Sequence, residues 1–96
     1  MKRQPEVLLQ EIASLQQMER GKLCRMRRGP NGDYYNHQTW ENGKNTVRYV
    51  PRDQVARLKH AIGGYQKFLR LTRLYADEII RQTRQSRKNN QKADVS

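Results

Sequence analysis

Apolar residues recur at three- and four-residue steps near both ends of the chain and at two-residue steps in the middle. Behind Pro5, which suits a first helical turn, Leu8, Leu9, Ile12, Leu15 and Met18 follow the helical step. The spacing predicts a helix over residues 5–20, with Gly21 as its stop. From residue 22 the period shortens. Gly29-Pro30-Asn31-Gly32 is a dense turn signal, and Asn42-Gly43 falls where a type I′ hairpin needs positive φ twice. Around these turns lie Tyr34–Trp40 and Asn45–Val50, rich in aromatic and β-branched residues, which read as paired strands. A further strand over Lys22–Arg27 would make the sheet a three-stranded meander.

A two-residue loop at Asn42-Gly43 sets the register by counting. Trp40 faces Asn45, Gln38 faces Val47 and Asn36 faces Tyr49, and these share one side with Tyr34. Tyr35, His37, Thr39, Thr46, Arg48 and Val50 share the other. The first side is the more aromatic and is expected to be packed; the second is polar and basic at its centre and is expected to face solvent.

From Pro51 a long helix begins, with Val55, Leu58, Ile62, Tyr65, Leu69, Thr72, Tyr75 and Ile79 as its apolar stripe. Its first half is expected to cover the sheet face bearing Trp40 and Tyr49. Its second half is left to pair with the first helix, a contact favoured over a dimer seam. Gly63-Gly64 interrupts the stripe, and each glycine costs on the order of 1 kcal/mol relative to Ala, so a kink or a close backbone approach is expected there. Past Ile80 apolar residues give out, and residues 81–96 read as a basic tail, a frayed helix or disordered. The fold class is α+β: N-terminal helix, two- or three-stranded antiparallel sheet and long C-terminal helix, with residues 1–80 as one small domain.

Charge adds the first functional signal. The 96 residues carry 20 Lys and Arg against 9 Asp and Glu, a formal net charge of +11. Residues 1–20 balance at 3 against 3, whereas residues 21–52 carry 7 basic against 2 acidic and residues 81–96 carry 5 against 1. The excess is therefore local, as on a polyanion-binding surface, where each neutralised phosphate releases condensed counterions. Nucleic acid is the expected partner, with DNA favoured over RNA.

Other classes recede. A lone cysteine, Cys24, makes no internal disulfide and no thiolate zinc site, and reads as a small packing residue. His37 and His60 have no carboxylate or cysteine at ligand spacing, and the acidic residues form no catalytic pair. No enzyme activity, cofactor or metal is expected. No apolar run approaches the length of a membrane span and no signal-peptide core follows Met1-Lys2-Arg3, so a cytoplasmic protein without membrane contact is expected.

The candidate contacts follow from the hairpin side expected to be open, because a two-stranded ribbon fits the major groove. They are His37, Thr39, Thr46 and Arg48 on that face, with Arg25, Arg27, Arg28, Lys44 and Arg52 flanking it. In the tail, Arg81, Arg84, Arg87 and Lys88 would add phosphate contacts without sequence preference.

The order of features resembles a family of short basic bacterial and archaeal proteins often encoded near transposases or other mobile elements. The resemblance covers roughly residues 12–80. It rests on Gly32-Asp33-Tyr34-Tyr35, on Asn42-Gly43-Lys44, on Arg48-Tyr49-Val50-Pro51, and on a long helix containing Tyr65 and Phe68. It implies a mobile-element setting and no activity. Many relatives carry several cysteines before the Tyr-Tyr strand, where this chain has Leu23-Cys24-Arg25-Met26-Arg27-Arg28, so any metal site held there is missing here. A fainter architectural similarity links the sheet and its tip to the arm domains of tyrosine recombinases and to plant-type domains that read the major groove with a sheet.

Two rivals stand beside duplex DNA. Tyr34, Tyr35, Tyr49 and Trp40 could stack on unpaired RNA bases if the aromatic face were exposed. Alternatively, the long helix docks on a protein partner such as a recombinase, or on a second copy.

Overall fold

The computed structural model describes residues 4–30 and 32–94, with the side chains of Arg27, Arg28 and residues 90–94 outside that description. In chain order the elements are α1 (Pro5–Ala13), β1 (Lys22–Gly29), β2 (Gly32–Glu41), β3 (Lys44–Val50) and α2 (Arg52–Asp94). The strands form one antiparallel sheet in the order β1-β2-β3, so the architecture is α+β with the three-stranded meander. The chain divides into two compact units, residues 1–15 with 68–96 and residues 16–67.

The β2–β3 hairpin has the register that loop counting predicts, with Trp40 opposite Asn45, Gln38 opposite Val47 and Asn36 opposite Tyr49. Asn42 at φ 53° and Gly43 at φ 75° supply the two positive dihedrals of the turn. Between β1 and β2 the register slips at Met26, a β-bulge. The bulge sets Arg25 opposite Tyr35 and Arg27 opposite Tyr34, neighbours on β2, so Arg25 and Arg27 take register positions on opposite faces.

In the first unit, α1 is shorter than expected. It ends at Ala13, where the Ser14 hydroxyl donates to the Glu11 carbonyl at 2.7 Å. The helical step of Leu15 and Met18 does not reflect helix, because residues 15–20 form neither helix nor strand. Leu8 on α1 and Leu71 on α2 are the unit's most buried apolar side chains, each 2% exposed. On α2 the inward line runs through Phe68, Leu71, Tyr75 and Glu78, whereas Leu69 and Ile79, expected inside, are 48% and 36% exposed. The three- and four-residue step holds along α2, but past Tyr65 it continues through Phe68. Residues 81–94 continue the helix.

In the second unit residues 16–20, an irregular segment, run between α2 and the sheet. The Glu19 amide donates to the Ala61 carbonyl at 2.9 Å, and the Arg20 guanidinium lies over the Tyr65 ring at 5.8 Å. Gly64 permits this approach, since a β-carbon there would stand 2.2 Å from the Gln17 carbonyl oxygen. On the sheet side, Gly21 at φ 92° sits so close to β2 that a β-carbon would meet the Gln38 carbonyl.

That placement reverses the expected faces. Thr39 and Val50, on the polar and basic side, are buried, at 8% and 5% exposure. Trp40, Val47 and Tyr49, expected in the core, are 71%, 49% and 58% exposed. The small Thr39 and the polar His37 let a backbone segment approach and bond; a Trp or Tyr at those positions would hold it away.

Candidate nucleic-acid interface

The outer face of the sheet is built by alternation. Lys22, Gln38 and Val47 form one cross-strand row, Cys24, Asn36 and Tyr49 the next, with Trp40 beside Asn45 at one end and Tyr34 at the other. Tyr34 and Tyr49 make a tilted ring pair with centroids 6.4 Å apart. The Tyr34 ring is seated by Gly29, where a β-carbon would come 1.9 Å from a ring carbon. Trp40 and Tyr49 are thus two exposed aromatic surfaces on one face, separated along the strands by roughly 14 Å, with Val47 and the amides of Asn36, Gln38 and Asn45 around them.

The inner face carries different chemistry. His37 Nε2 donates to the Arg20 carbonyl at 2.7 Å, and Thr46 sits half-buried opposite Thr39. Arg48, opposite His37, is exposed but borders a groove of about 610 Å³ between β3, residues 16–19 and the first turns of α2. Arg57, Gln54 and Leu58 line the same groove from α2. A smaller polar cavity of about 170 Å³ brings Glu19 and Glu41 to His37, Thr39, Thr46 and Arg48.

The sequence-predicted contacts therefore do not form one outward surface. His37, Thr39, Thr46 and Arg48 share the helix-facing side, and burial removes Thr39 from any contact. Arg25 pairs with Asp33 at 3.6 Å. Lys44 is exposed beside the hairpin tip, and the Arg52 guanidinium lies against Gly32, 2.7 Å from where a β-carbon would stand. Arg27 and Arg28 are placed by register only, their side chains lying outside the described residues.

On α2, Arg81 is held by Glu78, which accepts from both Nε and an Nη nitrogen. Those hydrogen bonds, and then the carboxylate's charge, raise the guanidinium pKa above its ordinary value. Arg84, Arg87 and Lys88 are exposed.

The sequence points to Trp40 and Tyr49 only as stacking surfaces for unpaired RNA bases, on condition that the aromatic face is exposed, and not to Val47 beside them or to Gln54 and Arg57 in the groove. The signal for the first set was the interleaving of aromatic residues with Asn and Gln, which suits a wet face better than a core. For the second it was the helical step from Gln54 through Arg57 and Leu58 to Ala61.

Among the described residues no group of three His, Cys, Asp or Glu converges as a metal site, and no helix is long and apolar enough to cross a membrane. Fold and surface together define a small basic α+β protein with an aromatic sheet face open to solvent. The chain belongs to the family described as a domain of unknown function, DUF6788, which matches residues 1–60 and so takes in the whole sheet. No curated protein and no solved structure matches it.

Proposed function

We propose that this is a non-enzymatic nucleic-acid-binding protein whose outer sheet face receives unpaired bases. The observation that carries the reading is the exposure of Trp40 and Tyr49 on one face, at 71% and 58%. A solvated Trp costs hydration free energy unless a partner covers it, and every base offers a π-face to stack on. Amide side chains beside the rings supply donors and acceptors for base edges. The net charge of +11, with Arg84, Arg87 and Lys88 exposed on α2, supports a polyanion partner and a salt-dependent share of the affinity.

This favours single strands over duplex DNA. Major-groove reading relied on His37, Thr39, Thr46 and Arg48 facing outward, and those residues share the helix-facing side of the sheet. A mobile-element setting is part of the proposal and rests on the resemblance to basic proteins encoded near transposases.

Competition tests the reading. A labelled single-stranded oligonucleotide should be displaced by unlabelled single strands, RNA or DNA, at far lower concentration than by duplex. Duplex competing equally well would overturn it, as would binding that does not weaken with salt. A protein co-purifying in place of nucleic acid would favour the adaptor reading.

A further inference from the structure

We infer that the groove between β3 and the first turns of α2 is a second binding site, one that takes a single phosphorylated nucleoside. The ligand class rests on the nucleic-acid reading above; the site shares Tyr49 with the outer sheet face but not Trp40. At about 610 Å³ the groove is of the size that holds small ligands and cofactors.

Its lining divides by chemistry. Arg48 from β3 and Arg57 from α2 bring two guanidinium forks, which pair with phosphate oxygens through two parallel hydrogen bonds. Met18, Val50 and Leu58 offer an apolar wall of the kind on which a base or sugar packs. Gln54 provides an amide donor and acceptor for a base edge. The groove's one carboxylate, Glu19, accepts the Arg20 amide at 2.8 Å, and two arginines outweigh it. An inorganic anion would leave the apolar wall unused, and an apolar ligand would offer the two guanidinium groups no acceptor. A phosphorylated nucleoside, free or as the 5′ end of a strand, meets both halves.

On β3, Val47 lies on the outer face and Arg48 and Val50 lie toward the groove, while Tyr49 borders both; Trp40 does not line the groove, so the two sites are read through separate residues. Trp40, the only tryptophan, reports the outer face, and the Met18 methyl resonance reports the groove.

The experiment titrates the full chain with adenosine 5′-monophosphate, and in parallel with adenosine and with inorganic phosphate. The nucleotide should shift Met18 at concentrations about tenfold lower than either fragment, and Arg57→Gln should weaken it by about tenfold with an unchanged melting temperature. A Met18 resonance that does not move, an equal response to phosphate alone, or an unaltered affinity in the variant would overturn the inference. If Arg57→Gln lowers the melting temperature, Arg48→Gln is the second variant, held to the same result. Oligonucleotides with a 5′-phosphate or a 5′-hydroxyl then assign the source. A Met18 shift with the phosphorylated strand supports a strand end, and a shift with the mononucleotide alone supports a free nucleotide. Loss of Trp40 quenching by oligonucleotides with the Met18 shift intact would overturn the sheet-face reading and leave the groove standing; the reverse result would do the opposite.

Discussion

His37 Nε2 and the backbone carbonyl of Arg20 lie 2.7 Å apart, a bond that ties β2 to the irregular segment beneath it. A carbonyl oxygen only accepts, so Nε2 carries the proton, in the neutral ring or the imidazolium alike. The bond joins the sheet to a segment that α2 holds from the other side through Glu19 and Ala61. His37→Ala should therefore lower stability by about 1 kcal/mol, with His37→Gln, which keeps a donor, costing less. Urea midpoints of the two variants check this.

The two adjacent glycines of α2 should respond with opposite signs. A β-carbon at Gly63 meets nothing within 4 Å, whereas one at Gly64 stands 2.2 Å from the Gln17 carbonyl oxygen. Gly63→Ala should stabilise by about 0.5–1 kcal/mol through helix propensity alone. Gly64→Ala gains the same propensity but must push away the segment pinned by Glu19, so it should be net destabilising. Thermal melts of both variants measure the difference.

Trp40→Ala should separate binding from folding. The side chain is 71% exposed, so its removal should leave the melting temperature close to unchanged. If a base stacks on it, affinity for a single strand should fall by about 1–3 kcal/mol. Direct titration of an oligonucleotide reads the affinity, and quenching of Trp40 fluorescence in the parent protein reads the stack.

The arginines of α2 should contribute unequally to salt dependence. Arg81 is already paired with Glu78, while Arg84 and Arg87 are exposed. If each exposed arginine meets a phosphate, Arg84→Gln and Arg87→Gln should each reduce the slope of log K against log salt by about 0.7 on single strands. Arg81→Gln should reduce it less. Binding isotherms at several salt concentrations give the three slopes.

Local chemistry made much of this fold legible. Asn42 and Gly43 determine the hairpin register, because only residues tolerant of positive φ fill a type I′ turn, and the residue pairs then follow by counting. Two-residue alternation likewise determines which side chains share a face, so it groups Trp40, Val47 and Tyr49 on one side. The charge excess of residues 21–52 and 81–96 needs no structure at all.

Which face is covered is another matter, and only the tertiary structure decided it. Alternation is symmetric between the two sides of a sheet: it sorts residues into two sets and carries no label for inside. The label comes from what packs there, here the backbone of residues 16–20, whose non-helical course is hidden by the accidental helical step of Leu15 and Met18. That segment needs small neighbours and hydrogen-bond partners, and it finds them in Thr39, His37, Gly21 and Gly64. The aromatic set was left in water for that reason, and the candidate site moved from the basic side of the sheet to the aromatic one.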